Sequence, residues 1–124
     1  MAGRVHVGGG TSVRAGGGGS VVAPAGSAAR FALTARRLAD EARRLGLRAP
    51  AFRSPPRVVG TDRTIRRRRG HVTVAVRSRD RPWPAVVADL IEGIVIANQL
   101  CVADAGGIRA DLWMAMAASD ALAA

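Results

Sequence analysis

Apolar residues recur at steps of three and four along residues 27–45, the spacing of one face of an α-helix. These positions are Phe31, Ala35, Leu38, Ala42 and Leu45. Ser27 can cap the beginning of this helix, and Gly46 offers the left-handed conformation that commonly ends one. The charged residues fall away from the stripe, so we expect a solvent face on which Arg and acidic side chains form weak ion pairs.

In the next segment, residues 50–62, Pro55 and Pro56 exclude a helix. We expect it to be extended, with Phe52 as an anchor in the core. A period-two pattern follows it: Val72, Val74 and Val76 alternate with polar or small residues, as in a strand with one buried face. Residues 63–68 can pair with this strand across a short turn at residues 69–70, which predicts a β-hairpin.

The predicted hairpin register places Ile65 opposite Val74. In that register Arg66 and Arg68 lie on the open face, and Arg67 falls on the inner face near the turn. A strand with Arg on both faces cannot be central in a sheet, so we expect an edge strand.

A broad apolar stripe marks residues 84–99 as a helix, with proline suited to its first turn. Leu90 lies in the middle of this stripe, so its truncation should cost far more stability than truncation of Asp89. Asp89 and Glu92 lie on the other side, either as a solvated face or as partners of nearby Arg. Gly93 and the β-branched residues after it leave residues 94–103 open to helix or strand.

Residues 104–107 contain two glycines and predict a chain break, followed by a last short amphipathic helix. The apolar positions of that helix are Ile108, Leu112, Ala115, Met116 and Leu122. Residues 27–124 thus predict a small single α+β domain with one helix, a two-stranded basic β-hairpin and two C-terminal helices. Residues 1–26 hold most of the glycine and predict a disordered tail, because they cannot bury enough apolar surface to offset their backbone entropy. Whether residues 1–26 are translated stays open.

The charge of the chain is strongly asymmetric. All nineteen basic residues are Arg, and sixteen of them lie within residues 30–81 beside only four acids, a net charge of +12. Residues 82–124 carry one Arg and five acids, a net charge of −4. Five acids cannot cancel sixteen Arg, so a positive surface must remain, and such a surface is typical of proteins that bind polyanions.

The run of four Arg on the predicted hairpin is the strongest candidate site, because guanidinium groups pair bidentately with phosphate. The candidate nucleic-acid-binding residues are Arg63, Arg66, Arg67, Arg68, Arg69, His71, Arg77 and Arg79. We expect binding to DNA or RNA without strong sequence specificity. The alternative is a protein-protein interaction or structural module, with an acidic protein partner or a second copy of the chain as a homo-oligomer.

No pattern in the chain predicts catalysis, a cofactor or a metal. The two histidines, His6 and His71, have no second ligand at metal spacing. Cys101 is the single cysteine, and its apolar neighbours predict a small buried hydrophobe. We expect Trp83 and Trp113 in the core of a chain this poor in aromatics. Charged residues interrupt every long apolar run, so we expect no membrane span and a cytoplasmic location.

Overall fold

The computed structural model describes residues 5–6, 28–55 and 61–118. Its elements are β1 (Val5–His6), α1 (Ala28–Arg44), β2 (Ala51–Arg53), β3 (Arg63–Arg68), β4 (His71–Val76), α2 (Trp83–Ala97) and α3 (Val102–Ala118). The α+β class, the small single domain and the hairpin between the first and second helices are confirmed. The predicted disordered tail lies outside the described residues, except for the two residues of β1.

The helix α1 buries its apolar stripe and ends as the sequence predicts. Gly46 has a φ of 80°, in the left-handed region that favours glycine. The Leu47 N–H donates to the Ala42 carbonyl at 2.8 Å, and the Gly46 N–H donates to the Arg43 carbonyl at 2.9 Å. This is the hydrogen-bond pattern of a Schellman motif, which satisfies the last carbonyls of the helix.

The sheet has the strand order β1-β2-β4-β3. The antiparallel pair β3–β4 sets Ile65 opposite Val74, Arg66 opposite Thr73 and Arg68 opposite His71, so the predicted register is confirmed. As expected, β3 lies at an edge. The structure adds β2, which pairs parallel with β4 and makes the body of the sheet three-stranded, and β1, which adds two residues beside β2.

The hairpin turns at Arg69 and Gly70, whose φ values are 50° and 80°. Two central residues with positive φ define a type I′ turn, whose twist matches that of the flanking strands. The turn therefore holds the two strands in one register up to their ends.

The helix α2 packs against β3 and β4, α3 packs against α1 and α2, and the helices form a single core with the sheet. Phe31 and Leu38 from α1, Phe52 from β2, Val74 from β4 and Leu90 from α2 are all fully buried in one cluster. As expected, Trp83 is buried too, and Trp113 packs partly against the same cluster.

The helix α2 continues past Gly93 to Ala97, which decides between helix and strand for residues 94–97. Ile94 and Val95 are buried on the same stripe as the earlier apolar residues. Burial of this stripe against the sheet thus outweighs the lower helix propensity of β-branched residues.

The chain break predicted at residues 104–107 is wrong, because Gly106 and Gly107 lie inside α3. Each glycine costs a helix roughly 1 kcal/mol, but Leu112 and Met116 further along are fully buried in the core and offset that cost. The break between the two helices falls earlier instead, where Gln99 has a φ of 52°.

The prediction of a buried Cys101 is also wrong, because the side chain is exposed. Cys101 directly precedes α3, and its carbonyl accepts a hydrogen bond from the Ala105 N–H at 2.9 Å. Its Sγ lies 3.3 Å from Asp104 Oδ2. The apolar neighbours that predicted burial belong to the junction between two helices rather than to one continuous buried element.

The two helices offer a matched pair of glycine substitutions. A Cβ added at Gly93 would lie 2.7 Å from Val74 Cγ1, whereas one added at Gly106 would meet nothing within 4 Å. We expect Gly93→Ala to lower the free energy of unfolding by about 1 to 2 kcal/mol, because overpacking exceeds the gain in helix propensity. Gly106→Ala should raise it by about 0.5 to 1 kcal/mol. Urea unfolding measures both, and stabilisation by both would contradict the contact between α2 and β4.

Candidate nucleic-acid interface

The alternation of side chains along the strands divides the basic residues of the sheet between two faces. Residues paired across a ladder point to the same side, so the buried Phe52 and Val74 mark the inner face that the helices cover. Residues one position away along each strand lie on the opposite face, which we call the open face.

The open face carries a group of exposed basic side chains. They are Arg53 on β2, Arg66 and Arg68 on β3, and His71 at the beginning of β4. Arg69 is exposed in the adjoining turn. The other described side chains on this face are Ala51, Thr64, Thr73 and Ala75, so none of the described residues there is acidic.

The strand geometry sets the spacing of these Arg residues. Arg66 and Arg68 are two residues apart on one strand, which separates their Cα atoms by about 6.8 Å. Arg53 stands on the far side of β4, two strand spacings or about 10 Å from β3. The open face therefore presents guanidinium groups on two strands, β2 and β3, that lie on either side of β4.

Two of the predicted site residues, Arg63 and Arg67, lie on the inner face and contact α2. Arg63 Nη1 lies 2.6 Å from Asp89 Oδ1. Arg67 Nη2 donates to the Ile96 carbonyl at 2.5 Å, near the C-terminal end of α2. A cation at this end of a helix is favoured by the helix dipole and by carbonyls that lack a helical partner.

Arg77 and Arg79, the last two predicted site residues, differ in how far their side chains are exposed. Arg77 Nε donates to Asp62 Oδ1 at 2.9 Å, and its Nη1 donates to the Arg79 carbonyl at the same distance. Arg79 is exposed. Of the eight predicted residues, six are exposed: Arg66, Arg67, Arg68, Arg69, His71 and Arg79. Arg63, Arg67 and Arg77 contact other groups of the domain.

Asp62 and Asp89 tie together the basic residues that flank the sheet. Arg81 Nη2 lies 2.7 Å from Asp89 Oδ2 and 3.6 Å from Asp62 Oδ2. Together with the pairs to Arg63 and Arg77, this makes an alternating network of two acids and three Arg. Each of these Arg pairs with at least one of the two acids, so the network rigidifies one end of the hairpin.

The network makes stability depend on pH. The hydrogen bond from Arg77, and then the charge of Arg81, hold the pKa of Asp62 below its ordinary value of 3.8. Because the unfolded chain binds this proton first, the stabilisation is present above that value and is lost as the pH falls through the folded pKa. We expect the free energy of unfolding to fall below about pH 4, and to fall less in Asp62→Asn. Urea unfolding at several pH values tests this, and an unchanged pH profile in the variant would contradict it.

A buried Arg in α1 is a feature that the sequence pattern did not reveal. Arg30 is only 8% exposed, and its guanidinium carbon lies 4.5 Å from the centroid of the Trp83 ring. Burial lowers the pKa of Arg30. Arg30 precedes the buried Thr34 and Leu38 at steps of four, and this helical spacing is the signal that could have placed it inward. Arg30 therefore does not belong to the exposed basic surface.

The solvent face of α1 carries the ion pairs expected for it. Arg43 Nη1 lies 2.8 Å from Asp40 Oδ1, and Arg44 pairs with Glu41. The hydrogen bond from Arg44 lowers the pKa of Glu41. Arg36 and Arg37 are exposed on the same helix, outside the strands of the sheet.

A groove of about 480 Å³ lies where β3, the end of α2 and the beginning of α3 meet. Its apolar lining includes Ile96 and Val102, and its two basic residues are Arg67 and Arg109. Arg67 is bonded to α2, and Arg109 pairs with Glu92, which raises the pKa of Arg109. Both guanidinium groups of the groove are thus engaged within the domain, that of Arg67 with a backbone carbonyl and that of Arg109 with a carboxylate.

Two further observations concern metal binding and membrane insertion. Among the described residues, no group of three or more His, Cys, Asp and Glu side chains could hold a metal ion. No helix in the same residues is both long enough and apolar enough to cross a membrane.

No protein-family model matches the chain, and no curated protein or solved structure matches it.

Proposed function

We propose that this protein binds nucleic acid through the open face of its sheet, without strong sequence specificity. The observation that carries the proposal is the group of exposed Arg on that face, where the described residues of β2, β3 and β4 include no acidic side chain. On the inner face, by contrast, Asp89 pairs with Arg63 and Arg81. The open face is therefore a surface of the described domain on which several Arg stand together without an acid on the same strands.

Phosphate is the chemical group that suits this face best. Each guanidinium presents a planar set of N–H donors that matches two phosphate oxygens. Phosphates recur at every nucleotide whatever the base sequence, so contacts to them give affinity without sequence specificity. The groups on the open face thus support binding that depends on charge and on salt concentration.

We also propose that the protein is non-catalytic and that it acts in the cytoplasm. Among the described residues, the ionisable groups on the open face are guanidiniums and the imidazole of His71, which suit binding, so we propose a non-catalytic protein. We propose the cytoplasm as its compartment, because the single cysteine is exposed and a lone thiol is stable in a reducing environment.

Salt dependence of binding tests the proposed function. If Arg53, Arg66, Arg68 and Arg69 each contact one phosphate, log Kobs should fall with log salt at a slope of about −3.6 on duplex DNA. Replacing Arg66 and Arg68 together by Gln should make the slope shallower by about 1.8. Fluorescence anisotropy on unrelated sequences measures both values, and the loss should be the same on each sequence.

The matched control for this experiment is the double substitution of Arg36 and Arg37 by Gln on α1. It removes the same net charge from exposed positions, so it should change the slope much less. Equal effects of the two double variants would show that net charge, and not the open face, governs binding. Absence of binding to DNA and RNA at micromolar protein and low salt would overturn the proposed function, and binding to polyglutamate instead would favour an acidic protein partner.

A further inference from the structure

We infer that the nucleic acid bound by the open face is double-stranded and is contacted at its backbone phosphates. This inference rests on the proposed function and narrows the ligand of the same face. It is carried by three observations: the position of every aromatic side chain, the way the hairpin is held, and the spacing of the exposed Arg.

No Phe or Trp side chain is available on the open face to stack with a base. The chain has two Phe, two Trp and no Tyr. Phe31 and Phe52 are fully buried, Trp83 is 6% exposed beneath Arg30, and Trp113 packs partly against the core. Proteins that bind single strands gain much of their affinity from bases stacked on aromatic side chains. The open face, on which no Phe or Trp lies and His71 is the only ring among the side chains that the structure describes, lacks that source of affinity.

The hairpin cannot enter the major groove as a free ribbon. A groove about 12 Å wide admits a two-stranded β-ribbon, but here β2 pairs with the outer side of β4. On the inner face, Arg67 bonds the tip of the hairpin to α2. Three strands span about 10 Å between their outer axes before side chains are counted, so the sheet is too broad for the groove. The open face therefore lies across the backbone, where it contacts phosphates rather than base edges.

The spacing of the Arg residues favours two strands over one. Arg66 and Arg68 stand about 6.8 Å apart, which suits contact with two neighbouring phosphates of one DNA strand. Arg53 lies across β4 and two register positions from Arg66, at a Cα separation of about 12 Å, and reaches the second strand over a minor groove about 6 Å wide. An extended single strand that follows Arg66 and Arg68 offers no phosphate to Arg53.

The experiment compares one 20-base-pair duplex with each of its strands and with poly-dT, at equal nucleotide concentration and equal low salt. We expect the full chain to bind the duplex at least roughly tenfold more tightly than any single strand. Equal or tighter binding to the single strands would overturn the duplex inference and leave the proposed function standing. Absence of binding to all of them and to an RNA duplex of the same length would overturn the proposed function itself.

A single substitution tests the contact to the second strand. Arg53→Gln should weaken duplex binding several-fold and change binding to poly-dT much less, because Arg53 contacts the strand that a single-stranded ligand lacks. Arg36→Gln on α1 is the control with the same change of charge, and it should leave the duplex preference unchanged. An equal loss on duplex and poly-dT in Arg53→Gln would contradict the two-strand arrangement.

Discussion

Leu90→Ala is expected to lower the free energy of unfolding by about 2 to 5 kcal/mol. The Leu90 side chain is fully buried in the middle of α2, within the cluster where the helices meet the sheet. Its truncation removes apolar contacts and leaves a cavity that the surrounding side chains fill only in part. Small domains have total stabilities of roughly 5 to 15 kcal/mol, so the variant should lose a large share of its stability. Urea unfolding followed by circular dichroism measures the change.

Ile96→Ala is the matched control for this substitution. Ile96 lies on the same helix and is also a large aliphatic residue, but its side chain is 37% exposed. Its interaction with Arg67 runs through the backbone carbonyl, which alanine keeps. We expect a loss of less than about 1 kcal/mol at this position. Equal losses at the two positions would mean that α2 turns a different face to the core than the structure shows.

The parts of the fold with a strong local period were predictable from the sequence. The stripe of α1 and the alternation of Val72, Val74 and Val76 each fix which side is buried, because only one register puts the apolar residues in the core. The hairpin register followed from that alternation together with a two-residue turn. The same alternation placed Arg66 and Arg68 on the open face and Arg67 on the inner one, as the structure has them.

The elements that were not predicted lack such a period. β2 has three residues, too few to show alternation, so Arg53 could not be assigned to the open face. In α3, two adjacent glycines suggested a break, and only tertiary burial of Leu112 and Met116 decides for a helix. Both outcomes depend on contacts between residues far apart in the chain. Local secondary-structure propensity carries no information about such contacts.

The pairing of charges also depends on tertiary structure. The sequence left Asp89 either solvated or paired with Arg, because its position on α2 shows only that it avoids the apolar stripe. The fold brings Arg63 and Arg81 to it from segments 26 and 8 residues away. The net charge of the Arg-rich segment was therefore visible in the sequence, whereas the division of its Arg between neutralised and exposed positions was not.

Asp89→Ala is expected to cost about 3 kcal/mol, which revises the expectation from the sequence that this substitution costs far less than Leu90→Ala. Asp89 lies 2.6 Å from Arg63 Nη1 and 2.7 Å from Arg81 Nη2, and its side chain is only 15% exposed. The side chain of Arg81 is 9% exposed, so removal of the carboxylate leaves a nearly buried cation with Asp62, at 3.6 Å, as its remaining acidic partner. Breaking one side of a buried ion pair typically costs about 3 to 5 kcal/mol, and the residual exposure of Asp89 places this site at the lower end.

Asp40→Ala is the matched control, because Asp40 pairs with Arg43 on the surface of α1 and its side chain is 68% exposed. A surface pair of this kind contributes about 0 to 1 kcal/mol, since water solvates both charges once the contact is lost. The pairing itself is tested by combining Asp89→Ala with Arg81→Ala: the double variant should lose less stability than the sum of the single losses, because no unpaired cation remains. Additive losses would show that Asp89 acts through packing or through α2 alone, and equal small losses for Asp89→Ala and Asp40→Ala would show that water reaches the network.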